Sequence, residues 1–203
     1  MPNPETNPLS PLRLLQNENA RLKDENQELK EQNELWRHYA SLLNYLHNIR
    51  LTIKGEGELL KHLGHTLEGA MHVCRASDGS LLMLDSDSGE LVFVQVRGTM
   101  SATLPGLRLK MGEGIIGWVA QQNTAQLVND PYHDARFARR VDQSFKFVTR
   151  NLAAAPIRGL RTLFGVLAVL NKHGNDGFND TDLELLNTLA GATAAVIERV
   201  DTR

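Results

Sequence analysis

Apolar positions change period several times along this chain. From Leu12 to Lys54 there is neither Pro nor Gly, so a long helix is unobstructed. Within it Leu15, Leu22, Leu29 and Trp36 recur every seven residues. With these at heptad position d, position a holds Leu12, Asn19, Asn26 and Asn33. Asparagine at a costs stability in a buried seam, and its usual use is to fix register in a parallel two-stranded coil. The flanks agree, because g-position Glu18 would face Lys23 of a second chain and Glu25 would face Lys30. The pattern therefore predicts a homodimer clasped along this helix, the alternative being an amphipathic helix that pairs with nothing. Beyond Trp36 the apolar seam shifts frame to Leu35, Tyr39, Leu42, Leu46, Ile49 and Ile53. Such a discontinuity alters supercoil winding, or marks the point where a zipper becomes a helix packed on a domain. Residues 1–11 hold four of the seven prolines and predict a disordered tail.

Gly55-Glu56-Gly57 is expected to break the helix. A second amphipathic helix follows on Leu60, Leu63, Leu67, Met71 and Cys74. Ser80–Asp85 and Leu91–Val96 then alternate as a hairpin around an Asp-Ser-Asp-Ser-Gly-Glu turn. Residues 112–128 suggest a glycine turn, a short helix and a short strand. Asp130–Phe147 is polar and irregular, with Tyr132, Phe137, Phe145 and Phe147 scattered through it, so it forms either a pocket wall or a surface loop anchored by its aromatics. Ala153–Ile157 is a short strand and residues 158–161 turn the chain. Phe164–Leu170 is a continuous apolar run, the pattern of a strand covered on both faces. Asn179 then suits a helix N-cap, with Asp182 returning a carboxylate to it, and apolar spacing becomes helical over Leu183, Leu186, Ala190, Thr193 and Val196/Ile197.

Composition narrows the chemistry. A formal net charge of −2 from 22 basic and 24 acidic residues gives no electrostatic footprint for nucleic acid or an anionic membrane. One cysteine, Cys74, allows no intramolecular disulfide and no multi-cysteine metal site. On the apolar stripe of its helix it is expected to be a small buried group rather than a reactive one. The first residues lack a secretory pattern and no apolar run approaches bilayer length, so a soluble cytoplasmic protein is expected. His62, His65 and His72 are read as solvated, not as metal ligands.

Gly112-x-Gly114-x-x-Gly117 matches the dinucleotide fingerprint as a string, but the helix after it has room only to about Asn123, too short for a usual crossover. A tight turn beneath Trp118 is the expected role. The cluster Asp130, His133, Asp134, Arg136, Arg139 and Arg140 shows no nucleophile–base–orienter order. Its arginines could meet an anion, or pair with Asp134 and Asp142 on a solvated face.

Several of these pieces occur together in a known family. Residues from about 57 to 199 resemble a GAF domain, a small-molecule sensor module. The resemblance rests on Ser77–Asp85, Gly112–Trp118, Val128–Phe137, Ala154–Ile157, Gly165–Lys172 and Phe178–Leu186, in that order and spacing. It implies an α+β fold: a central antiparallel sheet of about six strands, the N- and C-terminal helices packed on one face, and loops enclosing a ligand pocket on the other. The expected organisation is a tail over 1–11, a coiled-coil dimerisation helix over 12–54 and a sensor domain over 55–203. Candidate pocket residues are Phe93, Ile115, Trp118, Asp130, Phe137 and Phe145. Cyclic-nucleotide-binding members share an Asn-Lys…Phe-x-x-x-Asp-Glu signature, which Asn171, Lys172, Phe178 and Asp182 match, while Leu183 replaces the final Glu. A Lys172–Asp182 pair could instead latch the strand end to the last helix. A cyclic nucleotide or another small metabolite is the ligand class implied. Related methionine-sulfoxide reductases cycle through several cysteines, and bilin-binding members need an accessible one, so neither activity suits a chain with Cys74 alone.

The expectation is a non-enzymatic homodimeric sensory module that passes its signal to a partner in trans. The alternative is a ligand-free scaffold acting through its coiled coil.

Overall fold

A computed structural model describes residues 13–27, 29–30, 33, 56–174 and 176–201. The chain divides into two compact units, residues 1–44 and 45–203. In the first, residues 13–27 are helical and so are 29, 30 and 33. Leu15, Leu22 and Leu29 lie 61%, 45% and 61% exposed in the single chain, a stripe without a partner of its own among the described residues. Asn19 and Asn26 donate their side-chain amides to the carbonyls of Leu15 and Leu22, four residues back, at 3.3 and 2.9 Å. Glu18 and Glu25 both meet Arg21 on their own helix. The expected tail, Leu12, Trp36, the frame change over 35–53 and Gly55 lie outside the described residues.

The second unit runs α1 (Glu56–Val73), β1 (Ala76–Leu84), β2 (Glu90–Arg97), β3 (Arg108–Lys110), α2 (Gly114–Gln122), β4 (Gln126–Val128), a 3-10 turn (Pro131–His133), α3 (Arg139–Phe145), β5 (Leu152–Arg158), β6 (Leu163–Lys172) and α4 (Asp180–Asp201). Six strands form one sheet in the order β3-β2-β1-β6-β5-β4, every neighbouring pair antiparallel. The uninterrupted apolar run at 164–170 is explained by β6 lying centrally between β1 and β5. It is buried from Gly165 to Val169.

Period-two alternation divides the sheet into two faces. Leu167, Val169, Ala153 and Ala155 point towards α1 and α4, whose buried residues include Leu63, Leu67, Leu186, Leu189, Ala190 and Ile197. Val166, Ala168, Ala154, Leu82, Phe93 and Val96 point the other way, into a second core closed by Met100, Leu104, Leu109, Ile115 and Val119.

Both halves of the expected capping box form. Asn179 Oδ1 accepts from the Asp182 amide at 2.9 Å, and Asp182 Oδ2 accepts from the Asn179 amide at 2.8 Å. The apolar stripe of α4 also takes in Leu185 and Leu189, while Leu183 is only half-buried. On α1, Leu60 is 48% exposed, because the core stripe is carried by Leu63, Leu67, Ala70 and Val73. Gly57 is the second residue of α1, which begins at Glu56; the stretch before it, where the expected helix break would show, lies outside the described residues. His62, read from sequence as solvated, is buried, because the residue before Leu63 turns towards the domain; His65 and His72 are exposed. Burial, with His65 as a second contributor, lowers the pKa of His62. Strand β3 and helix α3 lack a sequence signal, being three and seven residues long with mixed polarity.

The close pairing of β1 with β6 depends on Gly165. A Cβ there would stand 1.9 Å from the carbonyl oxygen of Leu82 and 3.0 Å from Cα of Met83, both backbone atoms of the facing strand. Gly165→Ala should therefore lower unfolding free energy in urea by more than about 3 kcal/mol, in the severe tail of single substitutions. A loss under about 1 kcal/mol would contradict this strand spacing.

Candidate functional site

The sheet face opposite α1 and α4 does not pack solid. A cavity of about 90 Å³ remains between the sheet, the loop after β2, the start of α2 and helix α3. Its walls are mainly apolar, with Phe93, Val96, Met100, Leu104, Ile115, Phe137, Val141 and Phe147 contributing.

Four buried polar side chains border it: Asp78, Ser80, Asp142 and Thr149. Asp78, Ser80 and Leu82 alternate along β1 and so share its cavity face. Asp78 accepts from the Thr99 amide at 2.8 Å and from the Asn171 side-chain amide at 3.0 Å. Asp142, on α3, accepts from the Thr149 amide at 2.8 Å, the Thr149 hydroxyl at 2.9 Å and the Tyr132 hydroxyl at 2.8 Å. That hydrogen bond raises the pKa of Tyr132. Asp142 thus ties α3 to the segments on both sides of it. Ser80 is 3% exposed, and its hydroxyl has no hydrogen-bond partner among the described residues.

Asn171 supports this arrangement from the end of β6. It sits at φ 58°, a left-handed conformation that Asn tolerates better than most residues. Its side-chain amide donates to Asp78 and, at 3.1 Å, to the Val148 carbonyl. Its side-chain oxygen accepts from the Arg150 amide at 2.8 Å, and its backbone carbonyl accepts from the Ser77 hydroxyl at 2.7 Å. Next to it the Lys172 ammonium pairs with the Asp182 carboxylate, both largely buried. The ammonium also lies 5.8 Å from the Phe178 ring centroid. None of Asn171, Lys172, Phe178 and Asp182 lines the cavity. Lys172 and Asp182 fasten the strand end to α4, the latch suggested in sequence, while Asn171 ties it to β1 and to the segment before β5.

Of the six candidate pocket residues, Phe93, Ile115 and Phe137 line the cavity. Trp118, Asp130 and Phe145 do not. Trp118 is half-buried beneath Arg136, whose guanidinium carbon stands 4.5 Å from the ring centroid. Asp130 is exposed and contacts His133 at 2.7 Å. Phe145 packs against the second core from outside the lining. Asp78, Ser80 and Asp142 were missed; alternation on β1 from Leu82 would have placed the first two. Asp142 carries no signal, since the polar, irregular spacing over 130–147 does not predict α3.

The Gly112–Gly117 string is a tight turn. Gly112 and Gly114 have φ of 81° and 69°, and the Gly112 amide donates to the Gly117 carbonyl at 2.9 Å. The arginines of the polar cluster are engaged locally. Arg136 forks onto Asp134 through Nε and Nη2 at 2.9 and 2.6 Å, holding that carboxyl below its ordinary pKa. Arg140 pairs with Glu113 rather than with Asp142. Burial opposes ionisation of Glu113, but hydrogen bonds from Arg140 and the Lys110 amide outweigh it and lower its pKa. Among the described residues no group of three or more His, Cys, Asp or Glu could hold a metal ion.

Comparison with known proteins matches the same region. A model of the GAF domain aligns with residues 58–197. The chain belongs to the GAF domain family. GAF domains are small-molecule sensing and signalling modules, generally regulatory rather than catalytic, and some are parts of enzymes. A GAF domain of a phosphoenolpyruvate-protein phosphotransferase from Coxiella burnetii superposes with TM-score 0.72 at 21% identity, covering 83% of this chain and 96% of that one. A free methionine-R-sulfoxide reductase from Neisseria meningitidis gives TM-score 0.66 at 18% identity, covering 81% and 90%. These similarities concern the fold alone. The cone cGMP-specific 3',5'-cyclic phosphodiesterase subunit alpha' of Mus musculus is 31% identical over 84 residues, 41% of this chain. The chain spans only 10% of that relative's length. Among the described residues no helix is long and apolar enough to cross a membrane.

Cys74 lies buried beside the latch, its thiol 3.7 Å from the Asp182 carbonyl. Burial, reinforced by the Asp182 carboxylate and opposed by Lys172, pushes its pKa up to about 12. At pH 8 it should resist dithionitrobenzoate in the native chain and react fully in denaturant. The folded pKa is raised, so this group's stabilising contribution is intact below pH 9 and is lost as pH rises towards 12. Urea unfolding at pH 8 and pH 10 should show a larger loss for the wild type than for Cys74→Ala. Rapid native labelling at pH 8 would contradict the assigned burial.

Proposed function

We propose that this GAF domain is a non-enzymatic homodimeric sensor. A small molecule occupies the chamber between sheet and α3, and the occupied state is communicated to a partner in trans through the paired leading helices. The observation that carries this reading is the chamber itself, an apolar space under a short helix, bordered by a few buried polar groups. That is the composition of a small-molecule site. Ligand can act as a signal only by binding one arrangement of the dimer better than another. The α3 helix is the element most suited to report occupancy, because Asp142 couples it to Tyr132 and Thr149 as one unit. A cytoplasmic setting and the absence of nucleic-acid or membrane partners belong to the same proposal and rest on the charge balance.

The cavity also favours a second reading. At about 90 Å³ it is well below the roughly 300 Å³ at which drug-sized ligand pockets begin. A cyclic nucleotide would need the chamber to open. A ligand-free docking module would keep it shut.

Native mass spectrometry of the full chain separates these readings from the proposal. A mass of two chains, carrying or able to take up one small molecule per chain, is expected. Leu22→Asp with Leu29→Asp places charges on the exposed leucine stripe, and should convert the dimer to a monomer without altering the unfolding of the 56–201 unit. A single-chain mass for the wild type at working concentration would overturn the dimeric mechanism. A dimer that takes up no compound from a panel of cyclic nucleotides and small metabolites would favour the scaffold.

A further inference from the structure

The chamber's polar groups are selective about charge. Two of the charged residues on its walls are neutralised elsewhere. Arg97 pairs with Glu68, and its guanidinium reaches towards Gly64 of α1, on the opposite face of the sheet. Glu113 pairs with Arg140. Asp78 and Asp142 differ: they are 6% and 5% exposed, and all their described donors are amides or hydroxyls. Buried carboxylates are ordinarily paired with cations. These two keep acceptor capacity, since a carboxylate offers about four lone-pair sites and Asp78 uses two of them.

Ser80 supplies the independent indication of a ligand. The residue is 3% exposed and lines the cavity on the same strand face as Asp78, and its hydroxyl, which makes no hydrogen bond to the described residues, is open to the cavity rather than sealed in the core. A hydroxyl placed so is free to complete a hydrogen bond to a ligand. The opposite walls, Phe93, Val96, Met100, Ile115 and Phe137, offer only apolar surface.

Resting on the sensor reading above, we infer that the chamber takes a small primary ammonium compound with a compact branched aliphatic body. The ammonium donates to the Ser80 hydroxyl, and its charge is balanced by Asp78 and Asp142. The aliphatic part packs on the phenylalanines, Met100 and Ile115. A cavity of about 150 Å³ holds the six carbons of benzene, so about 90 Å³ suits about four non-hydrogen atoms, and a fifth requires slight give in the walls. A phosphate or carboxylate head would instead meet two uncompensated negative charges in a low-dielectric site.

The test uses the full chain, with isobutylamine hydrochloride, isobutanol and sodium isobutyrate as probes of nearly equal size. Cyclic GMP serves as the anionic ligand of larger size. Thermal shift and chemical-shift titration are read at constant ionic strength. Isobutylamine should give saturable stabilisation, isobutanol a weaker one, and isobutyrate none. Ser80→Ala should weaken the amine about tenfold, the effect of losing one hydrogen bond to a charged group. Asp142→Asn leaves Asp78 facing the ammonium and should reduce the preference for amine over alcohol without abolishing it. Because Asp142 also holds α3, Ser80→Ala keeps the test decisive if that variant fails to fold. Saturable binding of isobutyrate or cyclic GMP in place of the amine overturns the charge assignment and leaves the sensor reading standing. Equal stabilisation by amine and alcohol also overturns it. Amine binding unchanged in Ser80→Ala overturns the placement. No saturable response to any of these probes overturns this inference and leaves the sensor reading to the wider metabolite panel.

Discussion

The domain turns on the hydrogen-bonded junction at Asn171. Three separate stretches of chain end there: β1 through Asp78 and Ser77, β6 through Asn171 itself, and the segment from Val148 to Asn151 that leads from α3 into β5. Each of these stretches brings backbone polar groups into a poorly hydrated region, where an unmade hydrogen bond costs about 1–3 kcal/mol. One carboxamide on β6 reaches the other two stretches: its amide end donates to the Asp78 carboxylate and the Val148 carbonyl, and its oxygen accepts from the Arg150 amide. Its left-handed φ lets the chain leave β6 at the angle that directs Lys172 to Asp182. The face of the sheet that borders the chamber therefore inherits its geometry from a residue that does not touch the chamber.

Asp142 plays the corresponding part on the other side. Helix α3 has only seven residues, too short to hold itself together by local hydrogen bonds. Its position depends on one carboxylate that receives donors from Tyr132 before it and Thr149 after it. The Arg140–Glu113 pair adds an exposed contact to the start of α2, of the kind worth at most about 1 kcal/mol. A roof held mainly by one buried clasp can move as a unit without unravelling the sheet beneath. That property is what a sensing module needs if occupancy is to be felt beyond the site.

The fold was legible where local and long-range requirements coincide. Phe164–Leu170 reads as a doubly covered strand because burial on both faces leaves no polar alternation, and it is the centre of the sheet. Asn179 and Asp182 read as a capping box because that interaction lies within four residues. Lys172 and Asp182 are ten residues apart, and their pairing follows from the glycine turn that brings the end of β6 back to the start of α4. The chamber was only half legible. Phe93, Ile115 and Phe137 follow from apolar residues on elements around a pocket, but Trp118 and Phe145 carry the same signal and pack outside it. Alternation from Leu82 puts Asp78 and Ser80 on the cavity face, but a polar residue at such a position looks like the solvent face of the pattern, so burial there is not legible from sequence. Asp142 was hidden in a short helix whose stability comes from tertiary contacts. His62 failed in the opposite sense: a polar residue next to Leu63 was assigned to solvent, and the domain covers it.

Sensing by this domain requires an accessible apolar space beneath α3. A crystal of the full chain pressurised with xenon examines that space directly, since xenon enters dry cavities without needing any polar partner. Ordered xenon is expected between Phe93, Met100, Ile115 and Phe137, with α3 unmoved. Continuous side-chain density filling that volume, and no xenon there, would contradict it.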